Sequence, residues 1–259
     1  MKPLLSVISY NRKQETVATL RALQETGTFE QAQVVIFDNG STDGTREAIQ
    51  EMTEDGFSPY VFHFQPQNIG CPRALNFILK HWRQLGQHFI KVDNDVQIET
   101  PEWVAQLELF LDIHKDVGMV GPWYDELETG YQGRVLEQRV SWWSIFPIIG
   151  HCVMHRGELL DRTGYFDVLA PDHLYGFEDL LMAHRAGALG WTCAIDRTVR
   201  LRNIQRKNSL DYSAHEGERM KQHTDRLRAE YNRRCHEVHA ARGAYTVGPA
   251  GQRRTDPCL

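Results

Sequence analysis

The stretch HFIKVDNDV, residues 88–96, reads as a strand that runs straight into acid. Residues 88–92 are apolar and β-rich, and Asp93-Asn94-Asp95 follows without a spacer. Two carboxylates with one residue between them at a strand end can both turn toward one point, which is what a hard divalent cation requires. Acidic turns after strands are common, so the pair alone decides little; its place in the chain decides more. Upstream the same unit recurs three times. Residues 4–9 (LLSVIS), 33–38 (QVVIFD) and 60–64 (YVFHF) are strands that stop on polar residues: Ser9-Tyr10-Asn11, Asp38-Asn39-Gly40-Ser41 and Gln65-Pro66-Gln67-Asn68. Between them lie helical segments over residues 13–25, after residue 41 (Ser41 or Thr42 as N-cap) and over residues 72–85. Another helix opens at Pro101 and runs to residue 114. Strand–helix alternation at this spacing predicts an α/β fold with a mostly parallel sheet and helices on both faces. Ligands of such sheets bind beyond the carboxyl ends of the strands, where the polar residues collect.

The second half is less regular. Residues 117–123, 142–154 and 191–202 read as strands, and residues 156–163 and 178–188 as helices. A charged helical pattern covers residues 213–241, and a Pro-, Gly- and Arg-rich tail closes the chain. The expected division is a catalytic domain over 1–205, split into a nucleotide-binding half (1–96) and an acceptor-binding half (97–205). A basic helical extension (206–241) and a disordered tail (242–259) follow. The net charge of −5 is uneven: residues 1–199 carry 16 Lys/Arg against 27 Asp/Glu, and residues 200–259 carry 13 against 7. An acidic body fits cation handling, and a basic end fits contact with an anionic surface through residues 213–241, unless it is simply a solvated helix face. Five scattered cysteines without a C-x-x-C pair argue against a disulfide frame, so the cytoplasm is the expected compartment, with membrane-peripheral contact an option. No run approaches the ~20 apolar residues of a membrane span.

Two further stretches carry chemistry. In FDNGSTDGT, residues 37–45, part of the run is a turn and cap. Six of the eight residues after Phe37 have side chains that can accept a hydrogen bond, and Asp38 is placed to accept from a base N–H or a ribose hydroxyl. In GFEDLLMAHRAG, residues 176–187, Glu178 and Asp179 begin a helix, where acidic residues are favoured by the helix dipole alone.

The series SVISYNR (6–12), FDNGSTDGT (37–45), NIGCPRALN (68–76), VDNDV (92–96) and GFEDLLMAHRAG (176–187) resembles family 2 glycosyltransferases in order and spacing. The resemblance implies a GT-A fold, a Rossmann-like nucleotide-binding sheet, and transfer of a sugar from a nucleotide-diphosphate donor (a UDP-sugar being commonest) to a hydroxyl acceptor with inversion. It implies Mn²⁺ or Mg²⁺ on Asp95 and Asp93. Ser9, Tyr10, Asn11, Asp38, Asn39, Arg73, Asp93 and Asn94 would bind the nucleotide sugar. Asp179, with Glu178 beside it, would be the general base that inversion needs. GHCVMHR (150–156) and GYFD (164–167) also resemble the family and place His151 in the sugar or acceptor pocket. His151 and His155 are assigned to that region rather than to zinc. Trp142 and Trp143 offer flat faces to a pyranose, or belong to the core.

One departure stands out. Many relatives carry a metal-binding histidine after the strand that ends here near Arg202. This chain has RLRNIQRKNS (200–209) instead, leaving Asn203 as third ligand, no third ligand, or Arg202, Arg206 and Lys207 offsetting diphosphate charge. A nucleotidyltransferase would need a Gly-rich basic loop after the first strand, which Ser9-Tyr10-Asn11-Arg12 is not. A non-catalytic sugar-nucleotide-binding module would not need both Asp95 and Asp179. The acceptor, whether glycan, glycolipid, protein or nucleic acid, is not legible.

Overall fold

Four β-rich runs of the first half form the parallel part of one sheet: β1 (Leu4–Ser9), β2 (Gln33–Asp38), β3 (Val61–Phe64) and β4 (Phe89–Asp93). A computed structural model describes residues 1–54, 57–124, 139–140, 150–204 and 214–241. The remaining strands are β5 (Val96–Ile98), β6 (Val117–Tyr124), β7 (Arg139–Val140), β8 (Cys152–His155) and β9 (Thr192–Asn203). The sheet order is β3-β2-β1-β4-β8-β6-β9-β5, with β7 on β9. The parallel character stops at β4: β8 runs antiparallel to both β4 and β6, and β5 and β7 antiparallel to β9, whereas β6 and β9 are parallel.

The helices are α1 (Lys13–Glu25), α2 (Thr28–Gln31), α3 (Thr45–Glu54), α4 (Cys71–Trp82), α5 (Trp103–Ile113), α6 (Gly157–Thr163), α7 (Glu178–Ala188) and α8 (Ala214–Ala240). Covered on both faces, β1 and β2 are buried almost throughout, which is why they read as continuous apolar runs rather than alternating ones. One core runs the length of the sheet, from Leu4, Ile36 and Phe37 to Trp103, Met154 and Ile195. Inside it, Trp103 Nε1 donates to Thr28 Oγ1 at 2.8 Å, so burial of the indole leaves no polar atom stranded.

Several boundaries differ from expectation for local reasons. Helix α3 begins at Thr45 because Asp43, not Ser41 or Thr42, caps it: Thr45 N–H donates to Asp43 Oδ1 at 3.1 Å. Helix α4 stops at Trp82, since Arg83 turns extended and its guanidinium reaches Gln87 O, Gly157 O and Asp161. Strand β5 and helix α2 were not anticipated; three and four residues are too few to show a period. Of the expected strand over 142–154, Cys152–His155 is strand, and residues 141–149 lie outside the described residues, as does the tail beyond 241.

Candidate active site

Register brings the polar strand ends together. Ser9 sits opposite Asp38 and Ile8 opposite Asp93, so the tips of β1, β2 and β4 share one edge of the sheet. There Asp38 is fully buried, accepting from Ser9 Oγ and from Ser41 N–H, both at 3.1 Å, with the Arg46 guanidinium 3.6 Å away. Asn39 cross-braces the neighbouring loop: it donates to Asn68 Oδ1 at 3.0 Å and accepts from Ile69 N–H at 2.9 Å. Gly40 makes that approach possible. Its φ is +85°, and a Cβ there would lie 2.7 Å from the Gln67 backbone. Ser9, Asp38 and Asn39 are therefore satisfied within the loops they build, whereas Tyr10 stands half exposed.

Asn11 and Arg12 both adopt left-handed backbone, at φ 57° and 61°. The turn is held by three bonds: Asn11 N–H to Ser41 Oγ, Thr42 N–H to Asn11 Oδ1, and Lys13 N–H to Asp43 Oδ2. Asn94, between the two aspartates, donates to Thr16 Oγ1 at 2.8 Å and ties the acidic turn to α1. Arg73, expected at the nucleotide, donates instead to the carbonyls of Ile69, Ala170, Pro171 and His173, clamping residues 169–176 onto α4. Gly70 lets the two segments touch, for a Cβ there would lie 2.2 Å from His173 O.

The carboxylates of Asp93 and Asp95 meet His151, whose Nδ1 is 3.3 Å from Asp93 Oδ2. One donor atom from each of the three lies within 4.8 Å of the others. Two carboxylates and one imidazole form an oxygen-rich set of the kind that suits Mn²⁺ or Mg²⁺, so these residues fit such an ion. His151 thus stands with the acidic pair, where a third ligand was sought in Asn203; Asn203 lies beside the ring, its Nδ2 3.5 Å from Nδ1. His155, by contrast, is fully buried, with Nδ1 3.3 Å from Phe89 O and its ring edge-on to Phe166.

Two cations already sit on these acids, and sequence reasoning missed both. Arg12 Nη1 donates to Asp95 Oδ2 at 2.7 Å. Lys91 Nζ, nearly buried, touches Asp93 Oδ1 at 3.1 Å, Asp179 Oδ2 at 2.8 Å and Gly150 O at 2.6 Å. A lone lysine inside an apolar strand run was the available signal. Burial alone would raise the Asp93 pKa, but Lys91 and His151 hold it below the ordinary value. Burial and the Asp93 charge push Asp95 up, against the pull of Arg12. Burial lowers the His151 pKa, and Asp93 more than reverses it.

Glu178 and Asp179 open α7 after a tight turn with Gly176 at φ 91° and Phe177 at φ 70°. Glu178 Oε2 and Asp179 Oδ1 are buried without a hydrogen-bond partner. Burial raises Asp179 to about 7; Lys91 pulls it down and Glu178 pushes it up. The turn is backed by α8, where Leu227 joins Leu169 and Leu181 in a small second core. Tyr231 stacks on Phe177 at 4.4 Å between centroids, and His223 Nε2 accepts from Leu174 N–H at 3.2 Å. The expected basic face of α8 is largely matched: Arg226 pairs with Asp172, Arg228 with Asp225, Arg233 with Glu230 and Glu237, and Arg234 with Glu230. Residues 214–240 hold six Lys/Arg against five Asp/Glu. Trp142 and Trp143 lie outside the described residues.

The sequence model of "Glycosyl transferase family 2" matches residues 5–166, more than half of the chain. The chain belongs to this family. The family 2 glycosyltransferase has the GT-A fold, and solved structures share it. A mannosyltransferase, PcManGT from Pyrobaculum calidifontis, in complex with GDP-Man and Mn2+, is 20% identical with a TM-score of 0.63 over 96% of this chain and 78% of that one. S. aureus TarS 1-349 in complex with UDP-GlcNAc is 20% identical with a TM-score of 0.61, over 83% of this chain and 61% of that one. GalNAc-T7 with UDP, GalNAc and Mn2+ is 14% identical with a TM-score of 0.59, over 80% and 44%. The transferase thus spans less than two thirds of the latter two. No curated protein matches it. Among its described residues no helix is long and apolar enough to cross a membrane.

Proposed function

We propose that this transferase moves a sugar from a nucleotide-diphosphate donor to a hydroxyl acceptor with inversion at the anomeric carbon. The observation that carries the reading is a shared lysine: Asp93 and Asp179 both contact Lys91 Nζ, at 3.1 and 2.8 Å. A carboxylate suited to the donor side and one suited to the acceptor side therefore border one crevice, at the carboxyl ends of parallel strands. The complexes named for the structural neighbours, with GDP-Man, UDP-GlcNAc or UDP and with Mn2+, agree with that assignment.

Asp95, Asp93 and His151 would hold Mn²⁺ or Mg²⁺, which supplies charge neutralisation on the departing diphosphate. Tyr10 offers its exposed ring to the base, and the braced loop of Ser9, Asp38 and Asn39 receives the ribose. Lys91 holds Asp179 in place. With its pKa near 7, Asp179 accepts the proton of the acceptor hydroxyl as that oxygen attacks from the face opposite the diphosphate. Its bare Oδ1 is the atom available for that proton.

A panel of UDP- and GDP-sugars with Mn²⁺, read by slow donor hydrolysis and by thermal stabilisation, identifies the donor without knowledge of the acceptor. Asp95→Ala is expected to abolish metal-dependent donor binding. Asp179→Asn is expected to leave donor binding near normal and lower transfer by ~10²–10⁴-fold, the usual contribution of a general base. Native-rate transfer by Asp179→Asn would remove the base assignment; no response to any donor would remove the whole reading.

A further inference from the structure

The two cations on the acidic cluster are held differently. Lys91 is nearly buried and has three oxygen partners, so it is a fixed part of the wall. Arg12 has a side chain one-third exposed, and it reaches Asp95, whose side chain is only 8% exposed, from the mouth of the site. The backbone that aims it is unusual. Asn11 and Arg12 are consecutive non-glycine residues in the left-handed region, a conformation that L side chains resist. Three hydrogen bonds from the loop carrying Ser41 and Asp43 keep them there. A strained turn that persists because its surroundings over-determine it is a feature to be explained by function. Here it presents a guanidinium to Asp95, one of the three donors of the metal cluster.

A divalent ion on Asp95 and a guanidinium 2.7 Å from Oδ2 of the same carboxylate weaken each other's hold, because they share one negative charge and repel in a partly buried site. We infer that Arg12 is a displaceable resident counter-ion, competing with the metal for Asp95 so that the ion binds weakly until an anionic diphosphate arrives to take up the freed guanidinium. The inference rests on the metal reading above. It makes metal and nucleotide cooperative: each raises the affinity of the other by the same factor. Free Mn²⁺ then does not lock the site, and the empty site does not expose a bare carboxylate pair.

The test is Mn²⁺ binding to the full chain, followed by the electron paramagnetic resonance signal of the free ion, alone and with saturating UDP or GDP. Arg12→Gly removes the guanidinium and relieves the left-handed backbone; Arg12→Gln keeps the bulk and removes the charge. Circular dichroism establishes that each variant is folded. Both variants are expected to bind Mn²⁺ alone about tenfold more tightly than the native chain, and the gain from adding the nucleotide is expected to shrink. Asp95→Asn serves as the control that the signal reports this site. If the native chain binds Mn²⁺ through Asp95 but neither Arg12 variant binds it more tightly, the counter-ion inference falls and the metal reading stands. If Mn²⁺ binds no protein, with or without nucleotide, both fall together.

Discussion

A lysine in the middle of a buried strand has to be answered by carboxylates, and Lys91 is answered by two. Burial alone would drive its proton off; Asp179 and Asp93 instead hold its pKa well above the ordinary value. Breaking a buried pair by removing one partner costs ~3–5 kcal/mol. Lys91→Met should therefore destabilise the chain by that order. The deficit should deepen between pH 6 and pH 8 as the abandoned carboxylates ionise, a trend that urea unfolding at the two pH values will reveal. The same cluster sets the pH profile of transfer. As the proposed base, Asp179 would have to be unprotonated, and its pKa is raised to about 7 by burial. The maximal rate should fall about tenfold per pH unit below 7 and level off above it, and Asp179→Asn should lack this limb. Gly40 tests the other wall. An alanine there meets both the left-handed penalty and the Gln67 backbone, so Gly40→Ala should cost ~2 kcal/mol or more in urea unfolding. Legibility at this scale was uneven. Asp38, Asp93 and Asp95 could be read because strand ends are visible in sequence. His151 was read into the sugar or acceptor pocket, but its contact with the acidic pair could not be read, because it depends on β8 lying next to β4 about sixty residues away.

Among elements, α8 changes meaning most between sequence and structure. Read alone it is a charged helix with excess arginine. In place, its Leu227 and Tyr231 close over Leu181 and Phe177, while His223 and Arg226 hold the segment before Glu178. Its arginines spread around the helix because they pair with acids on it and beside it; the composition was legible and the pairing was not. Leu227→Ala, which empties a site in that small core, should cost ~2–3 kcal/mol by thermal or urea unfolding. It should also impair transfer more than Mn²⁺-dependent donor binding, because the loosened helix packs behind the turn that carries the proposed base. Equal loss of both would mean that α8 supports the whole site rather than one wall. Helix α7, by contrast, coincides with its expected bounds, residues 178–188, since a glycine turn and an acidic first turn mark its start in the sequence itself.

Over the whole molecule, the parallel half was legible and the mixed half was not. Residues 1–93 alternate strand and helix at regular spacing, and such a chain has few ways to fold. From β5 onward the strands are short or separated by long connections, and their partners are chosen by tertiary packing: β9 gathers β5, β6 and β7 from three different parts of the chain. This sheet also buries His155 against Phe89 and Phe166 with Nε2 unpaired, and burial pushes its pKa down to about 3. The folded-state value lies below the unfolded one, so the stability tied to the neutral ring is complete above about pH 6.5. It is lost as the pH falls toward 3, because only the unfolded chain takes the proton. His155 thus contributes a decline in unfolding free energy between pH 7 and pH 5, opposed over the same range by the raised Asp179, and His155→Phe should remove that contribution in urea unfolding.

The order of the chain has its own consequence, through the position of α8. A ribosome delivers Asp38, Asp93 and Asp95 first, then Asp179, and only afterwards the helix that packs behind its turn. A nascent chain halted before residue 214 would carry the nucleotide-facing edge with an unbraced Asp179. On the proposed function, such a fragment would bind the donor and transfer poorly. On that same proposal, α8 is then the element that would turn a holder of sugar nucleotide into a transferase.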